Sequence, residues 1–355
     1  MMRKLNFAFV GCGRIASKIH APLVSSGLEE ARLAAVCDIK ADRAERMGEQ
    51  YKVPWYTDCY AMMAAHPEVD VVSVLTESGN HGRNVVDLAR YGKHIVVEKP
   101  IALRLADADK MIAACRAGGC RLFVVQQNRY NIPVQKLREA VRKKRFGTIF
   151  LLTVRVRWCR RQDYYDMDPW RGTWSLDGGV FSQQASHHLD AIEWIGGPVR
   201  SVFARAINAF ARIEAEDTGT VSLTFKNGAL GMIEATTAAR PADMEGSLSV
   251  LGSRGTAEVG GFALNEMKTW RFEDQEPGDD EVLTACRTNP PTVYGFGHTR
   301  YLREVIDAIV HGKKALVEGP EGRKSLRLIH AVYRSIETGR EVLLERKPVS
   351  ARLGR

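Results

Sequence analysis

The chain has 355 residues, which is enough for two domains with large buried cores. Apolar residues make up 45% of it and charged residues 26%, as in ordinary globular proteins. The net charge of +9 is spread along the chain without a nucleic-acid-binding motif. This pattern favours attraction of an acidic small substrate over binding of DNA or RNA.

The cysteines and the N-terminal sequence argue against a zinc-binding, disulfide-rich or secreted protein. Seven cysteines form neither a CxxC pair nor a Cys/His cluster with zinc spacing, so we expect no metal site and no disulfide framework. The start, MMRKLNFAFVGCG, has a short apolar run that leads directly into glycines, which is typical of a first strand rather than a signal peptide. No apolar stretch approaches the ~18 residues that cross a bilayer. We therefore expect a cytoplasmic protein that does not bind membranes.

The first predicted element is a strand from Leu5 to Val10, followed by the glycines of GCGRIA and a helical pattern. The spacing G-x-G-x-x-A is a variant of the dinucleotide-binding fingerprint. Gly11 permits a tight turn, Gly13 allows a pyrophosphate to approach the backbone, and Ala16 keeps the helix close to the strand. The glycines alone are also typical of ordinary turns, so the prediction of a cofactor site depends on the elements after them.

A second predicted strand, Arg32–Ile39, carries Asp38 near its end, about where a ribose-binding acid belongs. A carboxylate there accepts hydrogen bonds from ribose hydroxyls and repels a 2′-phosphate, which favours NAD over NADP. Lys40 and Arg43 lie close by in the sequence and would tolerate a phosphate. The alternative is a solvated loop aspartate that contacts no ligand.

Helical and strand patterns continue to alternate as far as RLFVVQQ, which ends at Gln127. Helices are predicted near 41–50, 58–65, 80–91 and 104–117, and strands at VPWYTD, Val69–Leu75 and HIVVEKP. This alternation predicts a parallel, doubly wound sheet, in which ligands bind beyond the carboxyl ends of the strands. The stretches LTESGNH and EKP both lie at such ends. Lys99 of EKP is therefore expected where cofactor and substrate meet.

The segment Arg155–Gly179, RVRWCRRQDYYDMDPWRGTWSLDGG, combines arginines with aromatic residues. Alternate side chains of a strand share a face, so Arg155 and Arg157 are expected opposite Trp158 and Arg160. Arginine forks bind phosphate or carboxylate, and tryptophan stacks against sugar or base rings. The segment therefore suits an anionic, nucleotide-linked sugar. The alternative is an exposed basic strand beside core aromatic residues.

From about residue 198 the pattern changes to strands joined by turns, with a strong hairpin signal at Asn227-Gly228. This pattern predicts a mostly antiparallel sheet. The acidic, Pro/Gly-rich stretch 274–296 predicts a long loop, and two amphipathic helices follow, the second beginning at Pro320. We expect an α/β protein with a Rossmann domain over 1–126 and an α/β domain with a large, open sheet over 127–355.

Four motifs in this order resemble the glucose–fructose oxidoreductase / inositol dehydrogenase (Gfo/Idh/MocA) family over nearly the whole chain. They are GCGRIA, EKP after a strand, QNRYN and GGVFSQQASHHLD. The resemblance implies an NAD-binding Rossmann domain and a second domain whose open sheet forms the substrate wall and a subunit interface, in a homodimer or homotetramer. The implied cofactor contacts are Gly11, Gly13, Arg14, Ile15, Asp38, Thr76, Asn80, His81, Glu98, Lys99 and Gln127.

The same resemblance implies two catalytic residues. Lys99 would hydrogen-bond the hydroxyl being oxidised, and His187 would be the catalytic histidine, because a histidine titrates near neutrality. The family often has an aspartate four residues before this histidine, but here the position is Gln183, which cannot ionise. The alternative is that His187 has only a structural role. For the adjacent His188, packing or capping of the helix is the favoured role. The expected substrate contacts are Asn128, Arg129, Arg157, Arg160, Tyr165, Trp170, Gln183, His187 and His188.

Within the family, the arginine-rich segment, QNRYN and SQQASHH are similar to the sugar-nucleotide 3-dehydrogenases. Those enzymes oxidise C3 of UDP-N-acetylglucosaminuronate or UDP-N-acetylglucosamine on the way to 3-amino sugars of bacterial surface polysaccharides. In some members 2-oxoglutarate reoxidises the bound NADH. A free polyol such as inositol is the alternative substrate, and a non-catalytic NAD-binding regulator is the alternative of another class. The sequence leaves open whether the substrate is a uronate or a neutral sugar, and whether 2-oxoglutarate reoxidises the NADH.

Overall fold

The computed structural model describes residues 3–287 and 295–355, which form two compact units. The first unit contains the residues up to Val125 together with His298–Arg323. The second contains Gln126–Gly297 and Lys324–Arg355. The predicted cut after residue 126 did not include this return of the chain to the first unit.

The first unit is built on a six-stranded parallel sheet. Its strands are β1 Leu5–Val10, β2 Ala31–Cys37, β3 Trp55–Tyr56, β4 Val71–Val74, β5 His94–Val97 and β6 Leu122–Val124. The helices between them are α1 Ala41–Tyr51, α2 Cys59–Ala65, α3 His81–Ala89 and α4 Leu105–Ala117. The strand order β3-β2-β1-β4-β5-β6, with every pair parallel, confirms the predicted doubly wound sheet.

The strands of this sheet are apolar because helices cover both faces of a doubly wound sheet. All six residues of β1 are buried, and Phe7 and Phe9 are fully inaccessible to solvent. All four residues of β4 are buried as well. Charged side chains therefore occur where the strands end, as with Asp38 after β2 and Glu98 after β5.

The segment after the glycine loop is helical, as predicted, but its turns are wider than those of an α-helix. Two π-helical stretches, Ala16–His20 and Leu23–Gly27, lie on either side of Pro22. A proline has no N–H to donate, and its ring clashes with the carbonyl that an α-helix places four residues earlier. Wider turns relieve this clash.

The second unit contains an eight-stranded mixed sheet. Its strands are β7 Ile149–Arg157, β8 Val199–Ile207, β9 Thr218–Phe225, β10 Leu230–Thr236, β11 Glu245–Gly252, β12 Gly255–Gly260, β13 Glu266–Phe272 and β14 Val342–Leu343. The order is β13-β12-β11-β7-β10-β9-β8-β14. Only β7 and β10 pair in parallel among the described residues, which confirms the predicted mostly antiparallel sheet.

One face of this sheet is covered and the other is open. Along β10, Gly231, Ile233 and Ala235 are buried, whereas Leu230 and Met232, which alternate with them, are more than half exposed. The remaining helices are α5 Ile132–Arg142, α6 Gln162–Asp166, α7 Ser186–Gly196, α8 Asp279–Ala285, α9 Gly297–Val310 and α10 Gly319–Thr338. Helix α7 packs on the covered face, which places its first residues beside the sheet core.

The prediction of one long loop over 274–296 is wrong for Asp279–Ala285, which form α8. Three acidic residues in the first turn favour a helix N-terminus. Asp279 also accepts hydrogen bonds from Arg145 at 2.8 Å and from the Trp270 indole at 2.7 Å, which attach the helix to its unit. Residues 288–294 of the predicted loop lie outside the described residues. None of the described helices is both long and apolar enough to cross a membrane.

Candidate active site

The glycine loop after β1 has the backbone geometry that a dinucleotide requires. Gly11 has φ of 102°, and a Cβ there would lie 2.7 Å from the backbone of Leu75, so only glycine fits. A Cβ at Gly13 would meet none of the described residues within 4 Å, so this backbone borders open space at the start of a helix. Arg14 is exposed and Ile15 half-buried next to it. The loop therefore fits a pyrophosphate.

Asp38 links the end of β2 to the glycine loop. One carboxylate oxygen accepts the backbone N–H of Cys12 at 2.8 Å, and the other accepts that of Lys40 at 2.9 Å. The residue stays partly exposed. Each carboxylate oxygen has a second lone pair, so Asp38 is still able to accept hydrogen bonds from ribose hydroxyls. Its position fits the acid predicted to bind ribose.

His81 joins the turns after β4 and β5. Its Nδ1 lies 2.9 Å from the carbonyl oxygen of Pro100, and its Nε2 lies 3.0 Å from that of Thr76. Burial lowers the pKa of His81, because desolvation disfavours the charged ring. A neutral ring carries one N–H, so His81 donates to one of these two carbonyls and lies against the other. Asn80, also a predicted cofactor residue, donates to the carboxylate of Glu77.

Glu98, which precedes Lys99, is buried between two histidines of the first unit. Its Oε1 lies 2.9 Å from His20 Nε2 and 3.8 Å from His298 Nε2, and its Oε2 accepts the backbone N–H of Lys99 at 3.1 Å. Burial by itself would raise the pKa of Glu98, but the two imidazoles hold it well below the usual range. An ionised carboxylate therefore holds the backbone of Lys99. His20, Glu98 and His298 come from distant parts of the sequence, and no spacing pattern indicated their cluster.

His187 lies in the first turn of α7, in the second unit, and is 7% exposed. Its Nδ1 lies 3.0 Å from Oε1 of Gln126, whose Nε2 donates to the hydroxyl of Ser325 at 3.1 Å. An amide oxygen only accepts, so Nδ1 carries the proton and Nε2 is the basic nitrogen of the neutral ring. A neutral amide thus sets the tautomer of the proposed base. Sequence reasoning missed Gln126.

Gln183 has a carboxylate partner although it replaces the aspartate common in the family. Its side-chain nitrogen donates to Oδ1 of Asp177, and Oδ2 of the same carboxylate accepts the backbone N–H of Gly172 at 2.7 Å. Asp177 is 3% exposed. This carboxylate fixes the Gln183 amide and the turn before it. The GG dipeptide that follows Asp177 was the only signal that could have indicated it.

The QNRYN motif forms a short 3₁₀ turn, Gln127–Tyr130. Gln127 Oε1 and Asn128 Oδ1 are buried amide oxygens without a hydrogen-bond partner among the described residues, so each is able to accept a bond from a ligand. Arg129 is 2% exposed and forms a two-pronged ion pair with Asp190, with both distances at 2.7 Å. These contacts give Arg129 a structural role and do not support the predicted contact with substrate.

Two other predicted substrate residues also have partners inside the protein. Arg157 lies on the open face of the sheet, where its guanidinium contacts Glu234 at 2.6 Å and Glu245 at 3.1 Å. His188 is fully buried and packs edge-on against Trp158, with 5.5 Å between ring centroids. His188 thus has the packing role favoured from the sequence. Neither arrangement supports a contact with substrate.

Three predicted residues lie in a network of aromatic and polar side chains around α6. Arg160 donates to Gln184 Oε1 at 3.2 Å and to Asp243 at 2.9 Å. The hydroxyl of Tyr165 lies 2.9 Å from that of Thr237, and burial raises the pKa of Tyr165. Trp170 is half-buried. Through this network Arg160 contacts Gln184, the residue that follows Gln183.

Comparisons with known proteins identify the class. A parallel sheet of this order, with a glycine loop after β1 and an acid after β2, is a dinucleotide-binding Rossmann fold. Residues 5–126 match the model of the oxidoreductase family's NAD-binding Rossmann fold, and residues 138–344 match that of its C-terminal alpha/beta domain. The chain therefore belongs to the Gfo/Idh/MocA oxidoreductase family. It is an NAD-dependent dehydrogenase that acts on a sugar or polyol.

Three relatives are similar to this chain over nearly its full length. The WlbA dehydrogenase from Bordetella pertussis, solved with NADH and UDP-GlcNAcA, is 38% identical with a TM-score of 0.89, over 96% of this chain and 98% of that one. The WlbA dehydrogenase from Chromobacterium violaceum, solved with the same two ligands, is 39% identical with a TM-score of 0.90, over 96% of each chain. The myo-inositol 2-dehydrogenase of Thermotoga maritima is 29% identical over 96% of this chain and 99% of its own length.

Proposed function

We propose that this protein oxidises the C3 hydroxyl of a UDP-linked N-acetylated sugar to a ketone. The substrate is UDP-N-acetylglucosaminuronate or UDP-N-acetylglucosamine. The observation that carries the proposal is the similarity, at 38% and 39% identity over nearly the full chain, to two dehydrogenases solved with NADH and UDP-GlcNAcA. Such a 3-keto sugar is a substrate for an aminotransferase that makes 3-amino sugars.

The residues of the chain divide the chemistry of alcohol oxidation between them. Oxidation of a secondary alcohol removes a hydride from carbon and a proton from oxygen. NAD, when bound, supplies the hydride acceptor. His187 takes the proton at Nε2, because Gln126 holds the proton of the ring on Nδ1. Lys99 hydrogen-bonds the reacting oxygen, and Glu98 holds the lysine's backbone.

Neutral polar groups orient the sugar in this proposal. The buried amide oxygens of Gln127 and Asn128 accept hydrogen bonds from ligand hydroxyl or amide groups. Gln183 contacts a sugar hydroxyl, with its amide fixed by Asp177. Buried polar groups of this kind discriminate strongly, because a ligand that lacks the matching group leaves them unpaired.

A free polyol such as inositol is the second candidate substrate. The observation that favours it is the similarity to myo-inositol 2-dehydrogenase from T. maritima and to inositol 2-dehydrogenase from Rhizobium meliloti, the latter at 26% identity over 95% of this chain. UDP distinguishes the two candidates, because UDP alone binds a sugar-nucleotide enzyme with micromolar affinity and is ignored by a polyol enzyme.

We also propose that the chain forms a homodimer or homotetramer through the open face of the second unit's sheet. Four apolar side chains of this face are exposed: Phe203, Ile207, Leu230 and Met232. Apolar side chains on the solvent side of a sheet are stabilised when a second surface covers them. Light scattering coupled to gel filtration measures the mass, and a monomer would contradict the proposal.

The decisive experiment incubates the purified protein with NAD and a panel of UDP-N-acetylglucosaminuronate, UDP-N-acetylglucosamine, inositol and free sugars, with and without 2-oxoglutarate. Mass spectrometry is expected to show a UDP-sugar that has lost two hydrogen atoms. Stimulation by 2-oxoglutarate would show that it accepts the electrons of NADH. Lys99→Met is expected to abolish turnover while NAD still binds. Oxidation of inositol but of no UDP-sugar would refute the proposal.

A further inference from the structure

Arg171 has a buried guanidinium whose hydrogen-bonding capacity is not met by the described residues. Its side chain is 9% exposed, and its Nε is buried without a hydrogen-bond partner in the described part of the chain. The carboxylate of Asp168 lies 3.6 Å from Nη2, which is longer than a hydrogen bond. A guanidinium carries five N–H donors and is always charged, so burial without acceptors costs free energy. An acceptor from outside the chain would remove this cost.

Two aromatic rings hold the guanidinium in place. Its central carbon lies 4.6 Å from the ring centroid of Tyr164 and 4.6 Å from that of Trp170. Such rings attract the cation through their faces but offer no acceptor to the N–H groups in its plane. The planar fork of the arginine is therefore oriented before a ligand arrives, and a carboxylate or phosphate matches its geometry.

Two other arginines of the same segment, Arg157 and Arg160, differ in this respect. Arg157 donates to two oxygens of Glu234, and Arg160 donates to Gln184 and Asp243. Their charges already have acceptors in the protein. Arg171 is thus the arginine of the three whose geometry points to an external anion.

Arg171 is connected to the residues assigned to the sugar. The backbone N–H of the next residue, Gly172, donates to the Asp177 carboxylate that also holds Gln183. On its other side, the hydroxyl of Tyr164 accepts a hydrogen bond from Gln184 at 2.9 Å. Two separate contacts therefore attach Arg171 to the turn that leads into His187.

We propose that Arg171 binds a pair of anionic oxygens on the substrate, either the carboxylate of a uronate or the phosphate of the diphosphate. The inference rests on the proposed function in one respect, that the substrate is a UDP-sugar. The inference goes beyond the proposed function because it assigns the residue that recognises the negative charge of the substrate. The charged and neutral UDP-sugars distinguish the two sources of that charge.

The test compares Arg171→Gln and Arg171→Lys with Arg161→Gln, which removes an exposed charge from the same segment. For each variant, kcat/KM is measured with UDP-N-acetylglucosaminuronate and UDP-N-acetylglucosamine, and the affinity for UDP is measured by calorimetry. Arg171→Gln is expected to lose roughly tenfold to a hundredfold, as when a charge-assisted hydrogen bond is removed. Arg171→Lys keeps the charge without the fork and is expected to recover part of this loss.

Each outcome decides the matter. A loss confined to the uronate assigns Arg171 to the carboxylate, whereas equal losses with both sugars and with UDP assign it to phosphate. If Arg171→Gln behaves like Arg161→Gln in every assay, the inference is overturned. If Arg171→Gln fails to fold, a folded Arg171→Lys with wild-type affinities overturns it as well.

Failure of the proposed function is distinguished from failure of this inference by measuring the binding of pyrophosphate and glucuronate, because binding requires no turnover. A wild-type protein that oxidises no UDP-sugar refutes the function. Weaker binding of either anion by Arg171→Gln would still support the inference. A wild-type protein that binds neither UDP, pyrophosphate nor glucuronate would refute the inference too.

Discussion

Glu98 in the first unit and Glu216 in the second are both buried beside a candidate site segment, and the two carboxylates have different surroundings. In the first unit, two imidazoles hold the pKa of Glu98 well below its usual range, against the effect of burial. In the second unit, burial and the nearby charge of Asp217 raise the pKa of Glu216 to about 7, although the Phe181 N–H and the Tyr333 hydroxyl donate hydrogen bonds to it. Burial raises the pKa of both acids, and the imidazoles beside Glu98 reverse this effect there, whereas no such group among the described residues does so at Glu216.

The proposed catalytic residues follow the same difference. Lys99 has its backbone held by an ionised carboxylate, whereas His187 has its tautomer set by a neutral amide. The ionised Glu98 suits Lys99, because in the proposed mechanism this lysine stays next to a charged cofactor. Neutral partners in the second unit suit a base, because the ring of His187 must be uncharged before it accepts a proton.

Among the variants that test this difference between the units, the largest effect is expected from His187→Asn, which removes the proposed base. We expect kcat to fall roughly 10²- to 10⁴-fold, the usual contribution of general base catalysis, while the affinity for NADH stays the same. Steady-state kinetics and NADH fluorescence titration measure the two quantities. The exposed His311 provides a matched control, His311→Asn, which should leave both unchanged. Wild-type turnover in His187→Asn would exclude this histidine as the base.

Glu98→Gln is expected to destabilise the first unit at neutral pH. The variant removes the charged acceptor of the His20 ring and of the Lys99 N–H, and loss of two hydrogen bonds to a charged group costs about 1.5–3 kcal/mol each in unfolding free energy. A carboxylate with a lowered pKa stabilises the fold above its unfolded pKa, near 4.5, and this contribution disappears as pH falls through the lower folded value. The difference between wild type and Glu98→Gln should therefore be largest near pH 7 and shrink in acid.

Denaturant unfolding at several pH values measures this difference, with Glu29→Gln, an exposed residue of the same unit, as the control. A difference that grows as the pH falls would contradict an ionised Glu98.

Glu216→Gln should show the opposite dependence on pH. The pKa of Glu216 is raised from 4.5 to about 7, so the wild-type protein loses stability as pH rises through this range, by up to about 3 kcal/mol. The glutamine variant does not ionise and keeps its stability. Relative to wild type, its melting temperature should therefore be higher at pH 8 than at pH 5. An equal difference at both pH values would show that Glu216 does not titrate in this range.

The smallest effect is expected from Asp38→Ala. The alanine loses the proposed ribose acceptor and the bonds to the N–H groups of Cys12 and Lys40. We expect the affinity for NADH to fall roughly tenfold, as for loss of about one hydrogen bond to a charged group, with a smaller change in the affinity for NADPH. Fluorescence titration with both cofactors measures the ratio. An unchanged NADH affinity would mean that Asp38 does not contact ribose.

Local patterns allowed much of the fold to be predicted. The first strand, Leu5–Val10, has the predicted bounds, because a short run with five apolar residues before two glycines leaves little choice of structure. Helix α4 differs from its prediction, 104–117, by one residue at its start. The π-helical turns on either side of Pro22 and helix α8 were missed, since they depend on hydrogen bonds and contacts that apolar spacing does not encode.

The sequence by itself determined the doubly wound sheet, the glycine loop and the positions of Lys99 and His187, because each depends on residues that are adjacent or regularly spaced. Only the tertiary structure decided which groups these residues meet. Gln126 lies 61 positions from His187, and His20 lies 78 positions from Glu98. Arg129 and Arg171 look alike in the sequence, yet one is paired with Asp190 and the other has an Nε without a partner among the residues described. Charge state and tautomer depend on such contacts, since they are set by distance in space rather than along the chain.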